Sequence, residues 1–265
     1  MTERHTVTAG DGTTIAYADH GGEGPPTLLV HGITERAEAW APIVDRLVDD
    51  HRVYTMDLRG HGASGLALDY GLEAMAGDVV AVMETLGILG ECRLVGHSLG
   101  GMVVTAVGAV APVASIVNVD QSLKLGSFKA QLADFESMLR DPETFPAVIE
   151  GLFALLGGEK IDPAEMARVN ALRGPKQDVV LGVWELVFSL PEDEINAVVE
   201  AALAGYAGND TPYFTLFGVD PEPGYHEWLN GFVANATTEV WAGHGHYPHL
   251  VDPDHFVERL RAFWA

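Results

Sequence analysis

Ser98 sits in Gly96-His97-Ser98-Leu99-Gly100-Gly101, with apolar residues on either side. A serine hydroxyl is a weak nucleophile alone; it needs a base and an exposed, sharply turned position to attack a carbonyl. Gly-x-Ser-x-Gly supplies that position where a strand runs into a helix through a turn too tight for ordinary side chains. The spacing occurs by chance in many chains. It carries weight here because "CRLVGHS" reads as a strand and "LGGMVVTAVGAV" as a largely apolar helix. The N–H groups opening that helix can hold a developing oxyanion. The expected donors are the Leu99 amide and the Ile33 amide, the latter in the loop after "PTLLVHG", where Gly32 permits close approach.

These residues need a scaffold, and the chain's first half alternates strand-like and helix-like stretches. "HTVTA" and "TTIAYADH" around "GDG" read as a hairpin. Then come "PTLLVHG" (strand), "EAWAPIVDRLVDD" (helix), "HRVYTM" (strand), "LEAMAGDVVAVMETLG" (helix), the Ser98 strand and helix, and "VASIVNVDQ" (strand). Alternation with near-continuous apolar strands predicts an α/β fold with a mostly parallel sheet covered on both faces. Residues 121–209 show helical patterns and no convincing strand. The strand pattern resumes at "PYFTLFG", followed by a helix over "HEWLNGFVANA", a strand at "TTEVW" and a last helix at "DHFVERLRAFWA". The core is therefore expected over 1–120 and 210–265, with 121–209 inserted.

Four motifs in this order, "HG" at His31–Gly32, "DLRGHGAS" at Asp57–Ser64, "GHSLGG" and "GHYPHLVDP" at Gly245–Pro253, resemble those of the α/β-hydrolase fold family over nearly the whole chain. The resemblance implies Ser98 as nucleophile, His246 as base among the 11 histidines, and 121–209 as a helical cap. His31 and Asp57 are expected to organise loops. In this family the acid that orients the histidine usually lies three residues past the glycine of "YFTLFG", but that position is Pro221, with Asp220 before it and Glu222 after it. Some branches instead carry the acid after the preceding strand, which is Asp120. An aspartate closing a buried apolar strand is costly unless paired, so Asp120 is preferred, with Asp220 and then Glu222 as alternatives.

Haloalkane dehalogenases and epoxide hydrolases of this fold place an aspartate where Ser98 stands, so Ser98 points to acyl transfer. The expected activity is a serine hydrolase cleaving an ester, lactone or related bond of a small apolar substrate through an acyl-enzyme. Two alternatives are a cofactor-independent dioxygenase of the same fold acting on a heteroaromatic substrate, and a slow-turnover ligand-sensing module. Trp40, just past the oxyanion loop, and His97 are expected at the substrate. The insertion's Phe128, Phe135, Met138, Phe145, Phe153, Trp184, Phe188 and Tyr206 suggest an apolar pocket. Its lysines, Lys124, Lys129, Lys160 and Lys176, are scattered, which does not support a coenzyme A ester.

His244, His246 and His249 approach a zinc-binding spacing, yet Pro248 stands where an aspartate ligand would be, so no metal and no cofactor are expected. His244 and His249 then read as loop residues near the pocket mouth. The single Cys92 rules out an internal disulfide and reads as a buried thiol. The net charge of −23 opposes nucleic acid or an anionic membrane as partner. A polar N-terminus without an apolar h-region, and no long apolar window, lead to the expectation of a cytoplasmic monomer or homodimer.

Overall fold

The computed structural model describes residues 3–154 and 156–265. Strands β1 (Glu3–Thr8) and β2 (Thr14–Asp19) form the expected hairpin, in register Thr8↔Thr14. Strand β3 (Pro26–Val30) leads through a 3-10 turn at 37–40 into α1 (Ala41–Leu47). Next are β4 (Arg52–Met56), α2 (Leu72–Leu86), β5 (Arg93–His97), α3 (Leu99–Val110) and β6 (Ser115–Val119).

Among the described residues six helices follow before the next strand: α4 (Gly126–Leu132), α5 (Glu136–Arg140), α6 (Phe145–Ala154), α7 (Pro163–Leu172), α8 (Gln177–Ser189) and α9 (Glu192–Leu203). Then come β7 (Tyr213–Phe217), α10 (Tyr225–Asn230), β8 (Ala236–Val240), α11 (Pro248–Val251) and α12 (Pro253–Trp264). Helix α10 stops earlier than the expected "HEWLNGFVANA", because the chain turns at Gly231 and buries Val233. The short α11, opened by Pro248, falls in a stretch expected to be loop.

The eight strands make one sheet in the order β1-β2-β4-β3-β5-β6-β7-β8, parallel from β4 to β8 with β1 and β2 antiparallel at the edge. Both faces are covered, and alternation along each strand assigns side chains to one face or the other. Leu28, Val30, Leu94 and Ile116 enter the cluster that includes α2, α3 and the inserted helices. Leu29, Val95, Val117 and Val119 enter a second cluster with α1 and α12. Side chains of this size contribute about 1.5–3 kcal/mol each when fully buried. Loops at the C-terminal ends of the parallel strands meet the inserted helices there, where open α/β sheets place their ligands. Among the described residues no helix is long and apolar enough to cross a membrane.

Candidate active site

Ser98 caps β5 and precedes α3 with φ 52° and ψ −124°, a conformation that costs about 1–3 kcal/mol for a residue with a side chain. The surrounding glycines make it possible. A Cβ on Gly96 would lie 2.1 Å from the Gly100 carbonyl oxygen, and one on Gly100 would lie 2.2 Å from that of Val30. The chain is held by Ser98 N–H donating to Val119 O (2.9 Å) and Gly101 N–H donating to Ser98 O (2.7 Å). The Ser98 side chain lines a large cavity, and among the described residues its hydroxyl is committed to no hydrogen bond.

His246 follows Gly245, which packs so closely on Gly218 that a Cβ on Gly218 would lie 1.9 Å from Gly245 O. Its Nδ1 lies 2.7 Å from Asp120 Oδ2. Nδ1 therefore carries the proton it donates to the carboxylate, and Nε2 keeps a lone pair. Asp120, just past β6 at φ 54°, accepts from Gly218 N–H through Oδ1 (2.7 Å). Asp120, His246 and Ser98 all line the same cavity.

Asp220 is exposed and, among the described residues, makes no hydrogen bond or ion pair. Glu222 is paired with Lys124 at 2.6 Å. Of the three acids read from the sequence, Asp120 alone meets the imidazole. Ile33 lines the cavity beside Ser98, and Gly32 lies so close that a Cβ there would be 3.2 Å from Ser98 Cβ. Among the described residues, neither the Ile33 nor the Leu99 N–H is taken by an internal acceptor.

Two residues expected at the substrate lie elsewhere. Trp40 is 1% exposed and packs in the α1–α12 cluster, on the opposite face of the sheet from α3. His97 shares the parity of Val95 along β5 and also turns to that side, its ring tilted against that of His249 with centroids 4.7 Å apart. His249 is not at the pocket mouth but 2% exposed, against Trp40 and Phe256, and burial pushes its pKa well below the ordinary value. His244 is half-buried, its Nδ1 donating to Trp241 O. Among the described residues no three metal-ligating side chains converge. Of the large apolar residues singled out in the insertion, Phe128, Phe153 and Trp184 line the cavity; Phe135, Met138, Phe145, Phe188 and Tyr206 do not.

His31 and Asp57 hold loops. His31 Nδ1 donates to Gly32 O and its Nε2 accepts from Leu58 N–H, while Asp57 accepts from the Ala37 and Ala63 amides. Cys92 is buried, which pushes its thiol up to about 12.

A group not anticipated from the sequence lies under the oxyanion loop. Glu35 is buried, and its Oε1 accepts from the Tyr247 hydroxyl (2.9 Å) and faces Arg173 Nη2 (3.4 Å). Its Oε2 accepts from Gly32 N–H (3.3 Å) and lies 3.5 Å from His97 Nδ1. Burial alone would raise the Glu35 pKa, but His97 and Arg173 outweigh it and hold the carboxyl well below the usual range. His97 Nε2 in turn donates to the His246 carbonyl (2.7 Å). One carboxylate thus ties the oxyanion loop, the nucleophile's neighbour and the His246 loop together. Arg173 also donates to Thr34 Oγ1 and to Tyr247, bringing the inserted helices into the same group.

A model of the alpha/beta hydrolase family matches residues 27–260. The chain is 26% identical to a pimeloyl-(acyl-carrier protein) methyl ester esterase of Aliivibrio salmonicida, over 95% of this chain and 96% of that one. It is 34% identical to an (E)-2-((N-methylformamido)methylene)succinate hydrolase of Acinetobacter baylyi, but spans only 40% of that relative's length. The crystal structure of an esterase from a Rhodococcus species is similar at TM-score 0.74 and 25% identity, with 98% of both chains covered.

Proposed function

The chain belongs to the alpha/beta hydrolase family, and from that premise we propose that it is a serine hydrolase of an apolar ester, lactone or related acyl compound, working through an acyl-enzyme. The 2.7 Å contact of Asp120 with His246, in one cavity with the unengaged Ser98 hydroxyl, carries the reading. Asp120 fixes the imidazole tautomer so that Nε2 can take the Ser98 proton as Oγ attacks the carbonyl carbon. The Ile33 and Leu99 amides hold the oxyanion of the tetrahedral intermediate. His246 then returns the proton to the leaving oxygen as the carbon–oxygen bond breaks. A water deprotonated by His246 attacks the acyl-enzyme, releasing the acid and restoring Ser98. The helices of 121–209 act as a cap that closes the cavity over this chemistry.

The test is hydrolysis of p-nitrophenyl butyrate together with labelling by an alkyl fluorophosphonate. The expected result is one adduct on the peptide carrying Ser98, and a fall in kcat of about 10⁴-fold or more in Ser98→Ala. An adduct elsewhere, or none, would remove Ser98 as nucleophile. No ester hydrolysis, with uptake of O2 on a heteroaromatic substrate that survives Ser98→Ala, would favour chemistry by the His246–Asp120 pair alone, as a cofactor-independent dioxygenase would use.

A further inference from the structure

The cavity measures about 1020 Å³, more than a small ester occupies. Its shape follows from the helix behind the nucleophile. Leu99, Met102, Ala106 and Ala109 all line it, and their spacing puts them on one face of α3. That face runs from Ser98 to Ala109, about 16 Å at about 1.5 Å per residue. The opposite wall is α9, which contributes Val198 and Ala202. The two alanines of α3 leave a channel where larger side chains would fill it.

The α3 wall of this channel is apolar apart from Thr105, whose hydroxyl is taken up by Gly101 O. No charged side chain stands between Met102 and Ala109 on its α3 wall. Among the described residues Lys124 is the one lysine or arginine lining the cavity, and it is already paired with Glu222, while Asp69, Glu73 and Glu185 also line it. An anionic tail would therefore lose its hydration without gaining a counter-charge. An unbranched alkyl tail would lose only water contacts. A carbon chain with bonds of about 1.5 Å at about 111° advances about 1.25 Å per atom, so the α3 face spans about thirteen carbons, and about ten once about 4 Å is allowed for the reacting carbonyl and the radius of the terminal methyl.

We propose that this face of α3 is a binding channel for an uncharged, unbranched alkyl arm of about ten carbons on the scissile ester. The proposal rests on the hydrolase reading for the position of the reacting carbonyl at Ser98. It does not depend on which arm of the ester, acyl or alcohol, carries the chain.

Two substrate series separate the arms: p-nitrophenyl esters from acetate to myristate, and alkyl acetates from ethyl to dodecyl. In one series kcat/KM is expected to climb about two- to fourfold per methylene and to level at about ten carbons. Ala106→Phe, on the α3 floor, and Ala202→Phe, on an exposed position of the facing wall, should each cut the decanoate-to-butyrate ratio of kcat/KM (or its alkyl acetate counterpart) at least about tenfold. Thermal melts accompany both variants; Ala202 is exposed, so its added ring displaces no buried side chain. A preference for short chains in both series, or a ratio unmoved by both folded variants, overturns the channel.

Binding is read separately, by the thermal shift of Ser98→Ala with methyl decanoate against methyl butyrate. A larger shift with decanoate, alongside no turnover of any ester by the wild type, would retain the channel and reject the hydrolase. Equal shifts would reject the channel even in an active esterase.

Discussion

The cavity has two ends built on different physics. At the Ser98 end, positions are set by directional contacts: Asp120 to His246 at 2.7 Å, Asp120 to Gly218 at 2.7 Å, His97 to the His246 carbonyl at 2.7 Å. Along α3 and α9 the lining is mostly alanine, valine, leucine and methionine, whose contacts have no direction. Directional hydrogen bonds respond steeply to a displaced partner, because a lost contact leaves a polar group unpaired. Apolar walls respond in proportion to the volume or area changed. Substitutions at the first end should therefore change the rate by orders of magnitude and spare chain-length preference. Those at the second should change preference in steps.

The sharpest test of that division is Asp120→Asn. An amide can donate to His246 and favour the wrong tautomer, and the comparable substitution in a serine protease costs about 10⁴-fold. Here kcat is expected to fall by about two to four orders of magnitude with KM little changed, because neighbours such as the Gly218 amide still hold the side chain. Asp220→Asn, at an exposed and uncommitted residue, should leave both constants near wild type. The reverse pattern in stably folded variants would move the acid to the later strand and dissolve the contrast drawn at this end. If both are mild, Glu222 becomes the residue to test.

Glu35 sharpens the comparison at one remove, since it acts on the site through Gly32, His97 and Arg173 rather than on substrate. Glu35→Gln removes the charge facing the Arg173 guanidinium and should destabilise the fold by about 3–5 kcal/mol, as breaking a buried pair does. In protein that remains folded, kcat should fall by about 10²-fold, the scale of a misplaced oxyanion donor. The ratio between decanoate and butyrate should stay constant. A changed ratio with unchanged kcat would mean that Glu35 shapes the channel instead of the reacting end.

The same contrast governs what can be read from the sequence. Strands and helices follow from local apolar periodicity, and Ser98, His246 and Asp120 can be singled out because each follows an expected strand. Glu35, Arg173 and Tyr247 meet from three distant parts of the chain, and no spacing links them. Proximity in sequence misleads at Trp40: it follows the oxyanion loop closely, but the 3-10 turn carries it to the far face of the sheet. The side that His97 takes is legible in the sequence, because its parity with Val95 turns it away from the Leu94 side of β5. The arginines of the insertion matter more than its lysines. Arg168 and Arg173 bond the core loop at 34–39, a use that leaves no surface cluster to notice.

The smallest effect concerns acid. The loop beneath the reacting end holds His61, 2% exposed, with Nδ1 donating to Arg59 O and its ring near His31. Burial, joined by the charge of Lys176 and opposed by the hydrogen bond to Arg59 O and by Asp57, pushes its pKa from 6.5 down to about 3. The unfolded chain therefore binds a proton that the folded chain refuses anywhere between those values. The stabilising contribution of neutral His61 is complete above pH 6.5 and is lost as pH falls toward 3. Within that window the slope is about 1.4 kcal/mol per pH unit, or about 3 °C in Tm for a chain of this size. His249, buried and shifted the same way, adds to the decline, so the informative quantity is a difference between proteins. His61→Gln cannot titrate, and its Tm between about pH 4 and 6.5 should fall less steeply than that of the wild type by about 3 °C per unit. Parallel curves would show that His61 is already protonated in the fold, or that the loop admits water. Either result would weaken the contrast between a hydrogen-bonded end and an apolar one.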